Sequence, residues 1–142
     1  MTARPSGEEA YRKPLPTVSD DGEYYWRAAR EGRFVLQRCR SCHRYQFPSR
    51  VLCAHCGVRD PEWVENDGAG EVYSFTVVHR PPEQSFMPDV PYVVAIIQLD
   101  AGPRMMSNIV GVPSGQVRIG MRVCPIFERA TDEITFVKFT PA

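Results

Sequence analysis

The residues best suited to chemistry in this chain are two cysteine pairs. Cys39-Arg-Ser-Cys42 and Cys53-Ala-His-Cys56 each place two thiols in one short turn, with ten residues between the pairs. Four thiolates at about 2.3 Å close a tetrahedral shell around one cation, so the spacing points to a structural metal site rather than a reactive one. Zinc is the expected metal; iron accepts the same four sulfurs and stays open. Disulfides are the competing reading, and the lack of an apolar secretory core near the N-terminus argues against them. His43 and His55 lie beside these cysteines, but four sulfurs complete the shell without them.

No catalytic arrangement assembles from the remaining residues. There is no Gly-x-Ser-x-Gly elbow, no phosphate-binding loop and no base paired with Cys124, which reads as a small buried hydrophobe. Gly68-Ala-Gly70 precedes a strand pattern and reads as a turn or bulge. His79 ends that strand on the parity of Tyr73, Phe75 and Val77, and reads as a rim histidine. The loop from Arg80 to Pro91 is stiffened by prolines and carries Phe86 and Met87, which either dock on another surface or tuck down as a lid.

Short elements must position these groups. Residues 1–19 contain Pro5, Pro14 and Pro16, lack an apolar period and read as a flexible arm, a loose tail unless it orders against a partner. Asp20 and Glu23 have the spacing of a capping box for a helix that carries Tyr24, Tyr25, Ala28 and Ala29 on one side and stops at Gly32. Arg33–Arg38 is a strand candidate leading into the first cysteine pair. From Trp63 onward, five strands are expected at Glu71–His79, Tyr92–Leu99, Arg104–Val110, Met121–Glu128 and Ile134–Phe139, closing into an OB-like barrel. The expected organisation is an arm (1–19), a helix plus four-cysteine ribbon (20–62) and a mainly β barrel (63–142). The barrel core is expected to be separate from the ribbon, so the barrel should survive loss of the metal.

The 142 residues carry 17 acids and 17 bases, with 43% apolar composition, 13 prolines and 10 glycines. That balance suits a folded chain of short elements and excludes a helical bundle. The longest apolar run, Tyr92–Ile97, is far below the roughly 20 residues of a membrane span, and a cytoplasmic setting without membrane association is expected. Between Arg27 and Arg59 eight arginines face one acid, whereas six bases and eleven acids follow from Asp60. An acidic barrel is poorly suited to tracking single-stranded nucleic acid, which leaves a nucleic-acid-binding ribbon and barrel as the alternative function.

The chain resembles a known family in the order of its motifs: Tyr24-Tyr25-Trp26, Leu36-Gln37-Arg38-Cys39, Phe47-Pro48, Cys53-x-x-Cys56-Gly57, Trp63, Gly68-x-Gly70, Pro91-Tyr92 and Gly120-Met121-x-Val123. This is similar to the acyl-CoA-associated OB-fold family with a rubredoxin-like zinc ribbon, domain of unknown function 35. The resemblance implies a non-catalytic subunit of a hetero-oligomer that docks on a thiolase-fold enzyme, a thiolase or a lipid-transfer-protein-type aldolase acting on steroid side-chain thioesters, and helps to bind or channel the CoA thioester. Under that reading His79 and Arg80 meet an anionic group of the thioester. Phe86 and Met87, or else Tyr24, Tyr25 and Trp26, dock the partner. His43 stands where such knuckles often have glycine, which is the one departure.

Overall fold

The computed structural model describes residues 11–142. Helix α1 (Glu23–Arg30) buries Ala28 and Ala29 completely or nearly so, and their small side chains let the helix lie close to the strands behind it. Gly32, at φ 72°, ends it, with the Arg33 N–H donating to the Ala28 carbonyl at 2.9 Å. The expected capping box does not form. Asp20–Gly22 make a 3-10 turn instead, the Gly22 N–H donates to the Ser19 carbonyl, and the Ser19 hydroxyl donates to Asp21. The helix thus starts two residues later than the capping motif suggests, with Gly22 at the N-cap in place of Asp20.

Two sheets follow. The first is antiparallel, in the order β2 (Tyr45–Gln46), β1 (Val35–Arg38), β3 (Glu62–Glu65), with Trp63 opposite Gln37. The second is a closed barrel, β4 (Gly70–Val78), β5 (Tyr92–Leu99), β6 (Arg104–Ile109), β8 (Thr135–Pro141), β7 (Arg122–Arg129), in that spatial order. All five expected barrel strands are present within two residues at each end, and β5 matches at both ends. The alternation of β5, buried at Val93, Ala95, Ile97 and Leu99, shows why: each odd residue points into the barrel.

The core is continuous across the two sheets, contrary to the expectation of separate ones. Ala29, Phe34 and Leu36 belong to the same buried cluster as Val72, Ile97, Val123 and Phe139 of the barrel. The Phe34 ring meets Phe139 edge-on at 6.4 Å, and Phe139 is fully buried. Two glycines permit the close approaches that this core needs. A side chain on Gly68 would meet Pro125 at 2.7 Å and Phe34 at 3.0 Å, and one on Gly70 would meet the Gln98 carbonyl at 2.6 Å. Gly70 is paired on both sides, with Leu99 and Val123.

Three further readings are corrected. A bulge between Val72 and Ser74 shifts the phase of β4, so Tyr73 is exposed whereas Phe75 and Val77 pack on the core; the shared parity assigned to His79 therefore does not hold. Cys124 is half-buried rather than buried, because its neighbour Val123 takes the inward position. Within the arm, residues 11–13 are not loose: Tyr11 packs on Phe136 at 6.0 Å, and Lys13 pairs with Asp89 and lies over Phe86. Residues 1–10 of the expected arm lie outside the described part.

The barrel closes weakly on one side. Strands β6 and β8 run parallel and pair only at Ile109 and Phe139, and the Ser107 hydroxyl donates to the Val137 carbonyl at 2.7 Å where a ladder bond would otherwise run. Phe139→Ala is expected to cost about 3–5 kcal/mol by opening a cavity, and Gly70→Ala about 1–3 kcal/mol by overpacking. Chemical denaturation of the purified chain measures both, and a cost below about 0.5 kcal/mol for either would contradict this packing.

Candidate metal centre and adjoining groove

Both cysteine pairs sit in turns of the same construction. The His43 N–H donates to the Cys39 carbonyl at 3.1 Å, and the Gly57 N–H to the Cys53 carbonyl at 3.0 Å. Each turn then re-enters through a second bond, Cys39 N–H to the Arg44 carbonyl and Cys53 N–H to the Val58 carbonyl. This geometry needs a left-handed residue after the second cysteine: Gly57 has φ 80° and His43 has φ 63°. The departure at His43 thus leaves the turn intact, at the conformational cost of a non-glycine residue in that region.

The four sulfurs lie within 4.8 Å of one another, with Cys39 to Cys56 at 3.5 Å and Cys42 to Cys53 at 3.7 Å. Both separations are far too long for disulfides, and they approach the edge of about 3.8 Å of a tetrahedron with 2.3 Å metal–sulfur bonds. Backbone amides of Cys42 and Ser41 hold the Cys39 thiol down at about 6, and amides of Cys56 and His55 lower Cys53. Cys42, despite the Arg44 amide that pulls it down, is pushed up to about 11 by desolvation and by the three neighbouring sulfurs. Four thiolates this close repel one another, and a divalent cation is the group that lets all four ionise together. The donor set therefore fits a closed four-sulfur metal.

Two buried glutamines, which the sequence reading did not single out as part of the site, align the pairs. Gln46 on β2 donates to the Gln37 side chain at 2.7 Å and to the Leu52 carbonyl, and accepts from the Ala54 N–H at 2.8 Å. Gln37 on β1 also accepts from the Arg50 N–H at 2.8 Å. The backbone on either side of Cys53 is thereby tied to the strands that carry the first pair. The only sequence signal was that Gln37 follows the apolar run Phe34-Val35-Leu36 two residues before Cys39.

The remaining candidate residues are spread over the surface. His43 and His55 are exposed, and His55 lies 3.5 Å from Arg44. His79 and Arg80 are exposed beyond the end of β4. Phe86 and Met87 part company: Phe86 is half-buried 6.1 Å from the Tyr92 ring, whereas Met87 is 49% exposed. Tyr24 stacks on Trp63 at 5.2 Å between Arg27 and Arg33, which ties the helix to the ribbon. Tyr25 and Trp26 line a groove of about 700 Å³ together with the arm, the loop before β5 and the diverging ends of β6 and β8. Among the described residues no helix is long and apolar enough to cross a membrane.

Two family models match the chain. Residues 26–62 match the ChsH2 rubredoxin-like zinc ribbon domain, and residues 63–128 match the ChsH2 C-terminal OB-fold domain. A probable enoyl-CoA hydratase alpha subunit of Thermomonospora curvata is 38% identical over 92% of this chain, which spans only 40% of that protein. A DUF35 domain-containing scaffold protein of Methanocaldococcus jannaschii is 38% identical, with 76% of this chain and 77% of the relative aligned. Among solved structures, a chain of an Ltp2-ChsH2(DUF35) aldolase superposes with a TM-score of 0.80 at 38% identity, covering 89% of this chain and 98% of its own.

Elemental analysis of protein purified without chelator is expected to find close to one metal equivalent per chain. Less than half an equivalent would contradict the site. Structural zinc contributes roughly 10–16 kcal/mol in finger peptides, so Cys42→Ser should lose the metal and unfold the ribbon. Because the core is shared, the barrel should also melt at a lower temperature, which calorimetry reads. Gln46→Leu removes the buried hydrogen bond to the Gln37 side chain together with those to Leu52 and Ala54, and is expected to cost about 1–3 kcal/mol, with faster metal loss to a chelator.

Proposed function

The chain belongs to the DUF35 family, whose members join a rubredoxin-like zinc ribbon to an OB-fold, and from that membership we propose that it is a non-catalytic accessory subunit of an acyl-CoA-processing complex. The observation that carries this reading is the likeness, along 98% of its length, to a chain solved within an aldolase assembly. The partner in this reading is a thiolase-fold enzyme, and the substrate they handle together is a CoA thioester. The four cysteines hold one zinc, which contributes fold stability and leaves no position open for substrate. Zinc is favoured over iron by the rubredoxin-like zinc ribbon that residues 26–62 match.

The surface supplies a route for docking. Met87 stands out from a 3-10 turn (Gln84–Asp89) that contains Pro88, so an apolar side chain is presented on a backbone that loses little freedom on binding. His79 and Arg80 stand exposed at the start of the same loop, where a cation is free to meet a phosphate of the CoA moiety. Tyr24 serves inside the chain, between helix and ribbon, and contributes to docking only by holding α1 in place.

The isolated chain is expected to leave acyl-CoA thioesters unchanged and to restore activity when added to its partner enzyme. Turnover by the chain alone would overturn the accessory role. In the assembled complex, Arg80→Ala should raise KM for the thioester about threefold to tenfold with kcat little changed. Met87→Ala should weaken co-purification without altering the thermal stability of the free chain.

A further inference from the structure

The groove beside α1 combines an apolar interior with polar tips that have no partners among the described residues. Aromatic rings from four separate segments reach it: Tyr11 from the arm, Trp26 from α1, Phe86 from the loop and Phe136 from β8. Its floor is the place where β6 and β8 separate, with Met105, Ser107 and Ile109 on one side and Val137 on the other. A volume of about 700 Å³ lies within the range of small-molecule sites. Neither the Tyr25 and Tyr92 hydroxyls nor the Trp26 N–H has a hydrogen-bond partner among the described residues. Burial pushes the Tyr25 phenol up from its ordinary value, so it stays a neutral donor.

The charges on its rim cancel. Lys13 is paired with Asp89, and Lys138 with Glu128 at 2.8 Å, so both lysines that line the groove already hold a carboxylate. A pyrophosphate or free carboxylate entering there would meet no uncommitted cation among the described lining residues, and would have to leave its hydration behind. An uncharged ligand avoids both costs, and its carbonyl or hydroxyl oxygen can accept from the Tyr25 O–H or the Trp26 N–H.

We propose that this groove binds the uncharged, mainly apolar acyl portion of a CoA thioester, with the arm residues Tyr11, Lys13 and Pro14 as one wall, while the nucleotide end stays outside. The inference rests on the accessory-subunit reading for the identity of the thioester, but the groove's preference for a neutral ligand is a property of the chain alone. It can therefore be tested without a partner.

Calorimetry and tryptophan fluorescence on the full chain would use four probes: 2-decanone, 2-decalone, decanoate and free coenzyme A. The two ketones should bind at one per chain and compete with each other, decanoate should bind at least tenfold more weakly, and coenzyme A should fail to displace either ketone. Stronger binding of 2-decalone would mark a ring-bearing acyl group, and stronger binding of 2-decanone an extended one. Tyr25→Phe should weaken the ketones about threefold to tenfold by removing the donor. Met106→Glu, at a rim position that is 67% exposed and thus harmless to folding, should abolish their binding. No saturable ketone binding up to the solubility limit, or binding unchanged in both variants, would overturn the proposal. A chain that binds ketones but never joins a partner enzyme refutes the accessory role and leaves the groove; the converse result refutes the groove alone.

Discussion

Phe34 sits at the junction of two sheets that share no hydrogen-bonded strand pair. Its ring is buried against Phe139 in the barrel, Gly68 passes over it too closely for any side chain, and the Asn66 N–H bonds its carbonyl from the far end of β3. Burying one large aromatic side chain contributes on the order of 1.5–3 kcal/mol, and here that contribution depends on ribbon and barrel keeping one relative position. Helix α1 reinforces it with Ala28 and Ala29 on one side and the Tyr24–Trp63 stack on the other. The ribbon that carries the four cysteines is in this way packed into the same core as the barrel.

Polar groups divide the surface into regions of different character. Around the cysteines, amide N–H groups converge on sulfur and the exposed arginines surround the turns, so that end of the chain favours negative charge. Around the groove every lining cation holds an anion, and the free donors are neutral hydroxyls and an indole. The chain thus keeps a charged face and an uncharged one apart.

What could be read from the sequence was what depends on neighbours in the chain. The cysteine turns are local, and their spacing implies their geometry before any packing is known. The barrel strands are legible because an inward residue at every second position is a local pattern, unbroken in β5. The Gln37–Gln46 pair was not legible, since its members lie nine residues apart and find their other partners at Arg50, Leu52 and Ala54. The arm was misread for the same reason: Tyr11 and Lys13 meet Phe136 and Asp89, more than 70 residues away along the chain, and nothing in the proline-rich sequence around them announces those contacts. The parity read for Tyr73, Phe75 and Val77 was not shared, because it changes at Tyr73, where the register with β5 shifts.

That change at Tyr73 gives β4 two insides. Before the bulge the even-numbered Gly70 and Val72 face the interior; after it the odd-numbered Phe75 and Val77 do, while the strand stays paired to β5 throughout. A strand with an unbroken period belongs to one layer for its whole length. By dropping one beat, β4 bends around a corner and serves two layers in turn, which helps strands of only six to nine residues meet in a closed barrel. For homologous chains, a gap or insertion of one residue at this point is consequently a change in curvature rather than the loss of a core position.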